Sequence, residues 1–338
     1  MTHGCVANDL IPVLRVATHP YNECHPQLRD TTCDQITYAM MQRVCYAEDI
    51  SVRLKADLTL LLVAILWGSA FAAQRVAGQL GSVFFFNAAR FLLAALILIP
   101  FGLRNPIPRA QYPWMGVAGT ILFVAGGLQQ AGLVTTTAGN AGFITSLYVV
   151  IVPFVMLVGW RERPHRLAIL AVVLAAIGAF LLSTGGNVKF QPGDWLELIG
   201  AGFWSMHVVV LGKFASKFEA ISFSAGQLFI GSVLNFAAAI MFESSHVTIS
   251  VPLLQAIGYT AVVSLGLGYT LQVWGQKHTP PTDAAIILSL ESVFAVLGAW
   301  ILLGERLTLV QIVGCLIITA AVILSQAKGW GKIEIEGR

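Results

Sequence analysis

From Ala56 onward, apolar runs alternate with short polar breaks. Each run is about 20 residues long, the length a helix needs to cross a hydrocarbon core roughly 30 Å thick. The pattern predicts spans near 57–77, 82–101, 113–134, 138–159, 166–184, 194–214, 221–242, 252–275, 281–303 and 308–327. The breaks carry residues that end helices: Asn105-Pro106 with Pro108, Arg163-Pro164, Gly185-Gly186 with Pro192-Gly193, and Pro280-Pro281. Connections this short force successive helices to run antiparallel. The expected fold is an all-α membrane protein of ten transmembrane helices.

Residues 1–55 break the pattern. They are polar, mixed in charge, and lack helical or strand periodicity. They hold no apolar h-region of a secretory signal. They read as a disordered extension, or as translation from a start placed too far upstream, with Met40 or Met41 as the alternative start. Cys24-His25 with Cys33 fits no zinc-ligand spacing, so no metal site is expected there.

Lysine and arginine in the connections set the orientation. With a cytoplasmic N-terminus, the inner segments hold Arg53, Lys55, Arg104, Arg109, Arg161, Arg163, Arg166, Lys217, Lys277, Lys328 and Lys332, and the outer ones only Arg75, Lys189 and Arg306. Eleven against three puts both termini inside. Composition agrees with lipid as the solvent: 57% of residues are hydrophobic and 11% charged, against about 25% charged in a soluble domain. A net charge of +3, with no basic stripe interleaved with aromatics, excludes a nucleic-acid partner.

An internal repeat shows in the polar positions. A shift of 137 residues puts Trp67 on Trp204 and Arg90 on Gln227. A shift of 143 puts Gln129 on Gln272, Gly132 on Gly275, Ser146-Leu147 on Ser289-Leu290 and Glu162-Arg163 on Glu305-Arg306. Five spans is an odd number, so the second half enters the membrane from the opposite side. The expectation is two inverted five-helix repeats, 56–190 and 191–327, followed by a cytoplasmic tail at 328–338.

Several motifs resemble those of the EamA family in the drug/metabolite transporter superfamily. They are Leu66-Trp67-Gly68-Ser69-Ala70-Phe71, the stretch Ala138 to Ile144 leading to Leu147-Tyr148, Leu288-Ser289-Leu290-Glu291 with Phe294-Ala295, and Leu302-Leu303-Gly304-Glu305. Gly314 with Leu316-Ile317 fits as well, so the resemblance covers about 55–327. It implies ten helices, a substrate cavity between the halves, and export of metabolites, amino acids or drugs coupled to an ion gradient. Ser292 and Val149 stand where the family commonly has proline, which puts helix kinks there in doubt.

Ionisable side chains inside hydrocarbon are costly and need a reason. Arg90 in the second span and Glu291 in the ninth lie at similar depths, roughly 12 and 15 Å from their entry faces at 1.5 Å per residue. An ion pair between them, or a shared wet cavity, is geometrically open; packing against carbonyls and hydroxyls is the alternative for each. A carboxyl withdrawn from water can take up a proton near neutral pH, so Glu291 is a proton-coupling candidate. His207, mid-span and three residues after Trp204, is the second. Neutral packing of His207 is the competing reading. Trp67 and Trp204 lie mid-span rather than in the interfacial belts where tryptophan concentrates. They are expected to wall the cavity. Gln129, Asn140, Tyr148 and Gln272 are uncharged hydrogen-bonding groups that suit a polar organic substrate, or that bond helix to helix. Glu162 and Glu305 are expected to hold turns.

The functional expectation is a secondary transporter in a bacterial inner membrane, exporting a small organic solute by alternating access. Its partners are that solute and the bilayer, with monomer and homodimer both open. No cofactor, metal or catalytic residue is expected. The alternatives are a membrane-embedded enzyme, for which no His-Glu-x-x-His or similar motif is present, a non-transporting scaffold, and a nucleotide-sugar or sugar-phosphate carrier. The last would need several cavity lysines or arginines.

Overall fold

The computed structural model describes residues 35–80, 83–104, 108–184, 191–243, 249–304 and 306–335. The polar N-terminal stretch 1–34, with Cys5, Cys24, His25 and Cys33, lies outside them, as do Lys189 and Glu305. Among the described residues the chain is all-helical, with no strand. The first helix, α1 (Gln35–Gln79), begins within the stretch that composition marked as irregular.

The next helices are α2 (Phe84–Gly102), α3 (Tyr112–Gly132), α4 (Ala138–Ser146), α5 (Tyr148–Trp160), α6 (Arg166–Thr184), α7 (Pro192–Phe214) and α8 (Ala220–Phe242). Then come α9 (Val251–Tyr259), a π-helical stretch (Thr260–Leu267), α10 (Gly268–Gln276), α11 (Pro281–Leu288), α12 (Glu291–Leu303) and α13 (Leu309–Ile335). Among the described residues, seven helical stretches are long and apolar enough to cross a membrane: Ser51–Gln79, Phe84–Gly102, Ala138–Trp160, Pro192–Lys217, Ala220–Phe242, Val251–Gln276 and Pro281–Ile301. Helix α3 is not among them; its glycines with Gln129 and Gln130 dilute its apolar side chains. Arg166–Leu182 and Leu309–Ser325 are apolar but shorter.

The ends of the helices follow from local chemistry. Thr137 Oγ1 accepts from the Asn140 N–H at 3.1 Å and starts α4. Gln191 and Asp194 form a reciprocal capping box around Pro192 at the start of α7. Glu219 caps α8, accepting from the backbone N–H groups of Ile221 and Ser222. Helix α2 has no cap of its own; the Glu243 carboxylate, just past α8, accepts from Val83, Phe84 and Phe85 N–H at 2.7, 2.7 and 2.9 Å.

The runs expected as continuous spans at 138–159 and 281–303 are each broken. Helix α4 gives way to α5 at Leu147, and α11 to α12 at Ser289-Leu290. The doubt raised by the missing prolines is thereby corrected. Serines make the breaks: Ser146 Oγ donates to Phe143 O and Ser289 Oγ to Ile286 O, both at 2.7 Å, and Ser292 Oγ donates to Ser289 O at 2.8 Å. Hydroxyls bonded back to the preceding turn compete with the helix ladder and bend it. A shift of 143 residues maps the bounds of α4 and α5 onto those of α11 and α12 within one residue. The same shift carries the left-handed residue ending α5, Arg161 (φ 56°), onto the one ending α12, Gly304 (φ 70°).

Packing pairs α2 with α8 and α6 with α13 along their lengths, while α3 lies against α7 and α8. Close approach of α6 and α13 rests on two opposed glycines. A Cβ on Gly178 would stand 2.8 Å from Gly314 O, and one on Gly314 2.5 Å from Gly178 O. In lipid, where apolar burial does not drive helices together, such backbone proximity supplies the association energy.

Candidate functional site

The inner faces of these helices line a cleft. Residues 67–148 contribute Trp67, Phe71, Gln74, Arg90, Phe91, Gln129, Thr145 and Tyr148 to its walls. Residues 204–291 contribute Trp204, His207, Val208, Ser264, Leu265, Tyr269, Gln272 and Glu291. Eight of the nine residues expected from sequence therefore meet around one space; Asn140 does not. Asn140 lies toward the start of α7, where its Nδ2 donates to Asp194 Oδ1 at 2.5 Å and to Thr136 Oγ1 at 3.1 Å.

Aromatic rings form one wall. Tyr269 lies between the two tryptophans, 5.3 Å from Trp67 and 6.5 Å from Trp204 between ring centroids. Trp67 is anchored by its indole N–H, which donates to Ser264 O at 2.9 Å. That carbonyl belongs to the π-helical stretch, whose wider turns displace backbone groups from the normal ladder.

Arg90 and Glu291 both line the cleft, 3% exposed each, yet form no ion pair with one another. The pairing considered from sequence is replaced by separate surroundings. Arg90 Nε donates to Asn87 Oδ1 at 2.9 Å, and the guanidinium stands over the rings of Phe86 and Phe91, 4.8 and 5.5 Å from their centroids. Stacking on aromatic faces and a single amide suit a guanidinium, which is weakly hydrated and planar. Glu291 opens α12 beside Tyr148, close enough to interact electrostatically. His207 is fully buried, with Nε2 3.0 Å from Gln227 Oε1. Gln227 is the position that the 137-residue shift relates to Arg90.

The cleft's polar groups are incompletely bonded. Gln74 Oε1, Tyr148 Oη, Trp204 Nε1, His207 Nδ1, both side-chain polar atoms of Gln272 and Glu291 Oε1 are buried and have no hydrogen-bond partner among the described residues. Leaving one such group unsatisfied costs about 1–3 kcal/mol. Seven of them converging on one space describe a surface made to bond something that enters it. Donors and acceptors are both present, with one cation and one carboxyl among the described lining residues.

Sequence reasoning missed Gln74, Thr145 and Tyr269, and it missed two buried acids. Asp194 is 2% exposed and Glu197 fully buried. Three residues apart in an apolar helix, they share a face. That spacing was the available signal; proximity to the end of the span concealed it. Outside the bundle interior, Glu162, just past α5, pairs with Lys213 of α7.

Comparison with known proteins then decides the family. The model of the EamA-like transporter family matches twice, over residues 54–184 and 191–326. The chain belongs to the EamA-like transporter family. It is an integral, multi-pass membrane protein. Among its relatives is an "uncharacterized transporter" of Archaeoglobus fulgidus, 34% identical, with the similarity covering 88% of this chain and 93% of the relative. Another is the "uncharacterized inner membrane transporter YicL" of Salmonella typhimurium, 28% identical over 80% of this chain and 94% of the relative. A crystal structure matches the fold with a TM-score of 0.67 at 18% identity, covering 80% of this chain and 96% of that one. Each half of the family match contributes eight lining residues, so the cleft lies between the two matched regions.

Proposed function

We propose that this EamA-like transporter is a secondary-active exporter that carries a small organic solute through the cleft by alternating access. The supporting observation is the set of seven buried, unpartnered polar atoms gathered there between aromatic walls. Among the described lining residues, Arg90 is the one cation and Glu291 the one carboxyl. That balance favours a neutral or zwitterionic solute, such as an amino acid or an amphipathic metabolite, over a phosphate ester, which calls for several cations. Trp67, Tyr269 and Trp204 favour a solute with an apolar portion.

We infer ten crossings in two inverted five-helix halves, with both termini cytoplasmic in an inner membrane. The twofold family match and the recurrence of the broken helices at a 143-residue offset support that arrangement. Two like halves in opposite orientation can exchange conformations, opening the cleft first to one face and then to the other. Glu291 is the group that takes up and releases a proton during the cycle, and His207 lines the same cleft.

The test uses the full chain in liposomes. A metabolite library is screened first for thermal stabilisation, because a solute that binds only the folded state raises its apparent stability with concentration. Hits are then run in counterflow. Glu291→Gln is expected to retain solute binding and lose the pH dependence of transport; an unchanged rate with an unchanged pH dependence would overturn the role given to Glu291. No stabilisation by any solute class, with Gln272→Leu and Trp204→Phe also without effect, would overturn the cleft as the solute site.

A further inference from the structure

A second polar system begins at the wall of the cleft and runs toward the start of α7. Gln129 Nε2 donates to Thr145 Oγ1 at 3.1 Å, and Thr145 Oγ1 donates to Glu197 Oε2 at 3.1 Å. Gln129 and Thr145 line the cleft; Glu197 stands behind them, fully buried. One turn away Asp194 Oδ1 accepts from Thr136 Oγ1 at 2.6 Å and from Asn140, and Oδ2 accepts from Gln191 N–H at 2.8 Å.

The two acids are held differently. Asp194 accepts three hydrogen bonds and sits in the first turn of its helix. Glu197 accepts one bond, at Oε2, while Oε1 has no partner among the described residues. Space for Glu197 is kept by a glycine: a Cβ on Gly132 would lie 2.8 Å from Glu197 Oε1. The charged groups within electrostatic reach of Glu197 are Asp194 on its own helix and Glu291 on α12. From the facing helices, α3 presents Gln129 and α4 presents Thr145 and Asn140, none of them titratable near neutral pH. Arg75 of α1 is engaged with Leu133 O.

We propose that Glu197 is a second proton-binding carboxyl of this transporter, joined to the central cleft by the Thr145 hydroxyl. With Glu197 ionised, the hydroxyl donates to Oε2, as observed. When a proton arrives at Oε2 the carboxyl becomes the donor, and the hydroxyl, accepting it, turns its own proton to the cleft. Water in the cleft passes it on to the Glu291 carboxylate, which lines the same space. The hydroxyl gains one proton and gives one up, so no charge remains on it. Gln129 holds the Thr145 oxygen in place throughout, which makes it a positioning residue. The inference rests on the cleft's being the solute and proton site of the cycle.

The test needs no solute. The full chain in liposomes is titrated with pH under infrared difference spectroscopy, following the carboxylic-acid C=O stretch. Two titrating carboxyl bands are expected, one lost in Glu197→Gln and the other in Glu291→Gln. Thr145→Val is expected to keep the Glu197 band and shift it to higher wavenumber, because the hydroxyl bond is gone. Glu197→Asp, which keeps a carboxyl, retains a titrating band and controls for folding together with helical circular dichroism. A spectrum in which folded Glu197→Gln loses no band overturns the proposal. So does a Glu197 band that vanishes when sodium replaces potassium, since the group would then bind sodium. Loss of a band in Glu197→Gln with none lost in Glu291→Gln would leave Glu197 standing and refute the cleft carboxyl's part, so the two readings fail separately.

Discussion

Gly268 faces the edge of Trp67 where the π-helical stretch rejoins α10, and Gly268→Ala tests how the cleft wall is held. A Cβ placed there stands 2.5 Å from Trp67 Nε1 and 3.1 Å from its Cδ1. Ordinary contact begins near 3.5 Å, so the indole must retreat by about 1 Å. Its N–H now reaches Ser264 O at 2.9 Å. A retreat of that size away from the carbonyl lengthens the bond to about 3.9 Å, beyond the roughly 3.2 Å limit of a good N–H···O bond. The lost bond costs about 1 kcal/mol, and the overpacking adds about 1–3 kcal/mol. Gly268→Ala is therefore expected to destabilise the fold by about 2–4 kcal/mol. Trp67→Phe removes the crowded edge, so the double variant should recover about 1–3 kcal/mol relative to the sum of the singles. The assay is helical circular dichroism of the full chain in detergent, followed against increasing mole fraction of SDS. Additive costs, or a single variant within about 0.5 kcal/mol of the parent, would refute the contact. A solute that stabilises the parent through the cleft should also stabilise Gly268→Ala less, because the displaced indole narrows the space.

The two left-handed helix ends make opposite predictions. Gly304→Ala places a Cβ at φ 70° and should cost about 1–2 kcal/mol, whereas Arg161→Gly, at φ 56°, should be neutral or gain up to about 1 kcal/mol in the same SDS titration. At the α7–α8 corner, burial pushes the Glu219 carboxyl up. The hydrogen bonds from the Ser222 hydroxyl and the Ser222 and Ile221 N–H groups, with Lys277 nearby, outweigh it and hold the group below its ordinary value of 4.5. A depressed carboxyl contributes its stability above the unfolded value and loses it as pH falls through the folded one. The thermal midpoint should accordingly fall on acidification below about pH 4.5, and Glu219→Gln should flatten that acid limb while lowering the midpoint at neutral pH; an unaltered acid limb refutes the cap.

The all-helical, multi-pass character was legible because lipid imposes length and polarity on each span, and both are one-dimensional properties of the chain. The cleft was legible because a polar group inside an apolar run needs a reason for its cost. That rule alone gathered Trp67, Arg90, Gln129, Tyr148, Trp204, His207, Gln272 and Glu291 around one space. It failed for Asn140, because hydrogen-bonding to Asp194 at a helix start satisfies an amide as well as a cavity does. It failed in the other direction for Glu197. A depth count from the end of a span gives position along the membrane normal, but the side chain's direction is set by which helices pack on it. Here α3 and α4 close over α7 and bury a carboxyl that lies near the end of its span. The helix breaks at Leu147 and Ser289 escaped for a third reason. They come from serine hydroxyls bonding back one turn, and serine in an apolar run carries no mark that distinguishes this from ordinary packing.

The repeat explains why the cleft carries one charge of each sign. Trp67 with Trp204 and Gln129 with Gln272 are alike at related positions, whereas Arg90 answers to Gln227 and Glu291 to Tyr148. A fully symmetric pair of halves would place two guanidiniums or two carboxylates in one low-dielectric space, and like charges there repel strongly. Charging each related pair on one side only avoids this and leaves the cleft near neutrality. In the alternating-access cycle proposed above it would also make the two conformations inequivalent: were the halves to exchange shapes, Arg90 would enter surroundings like those of Gln227, which faces His207, and Glu291 surroundings like those of Tyr148. A solute or proton can shift such an equilibrium only by interacting differently with its two states. The unequal residues at related positions supply that difference, while the equal ones, the tryptophans and glutamines, keep the site's shape common to both.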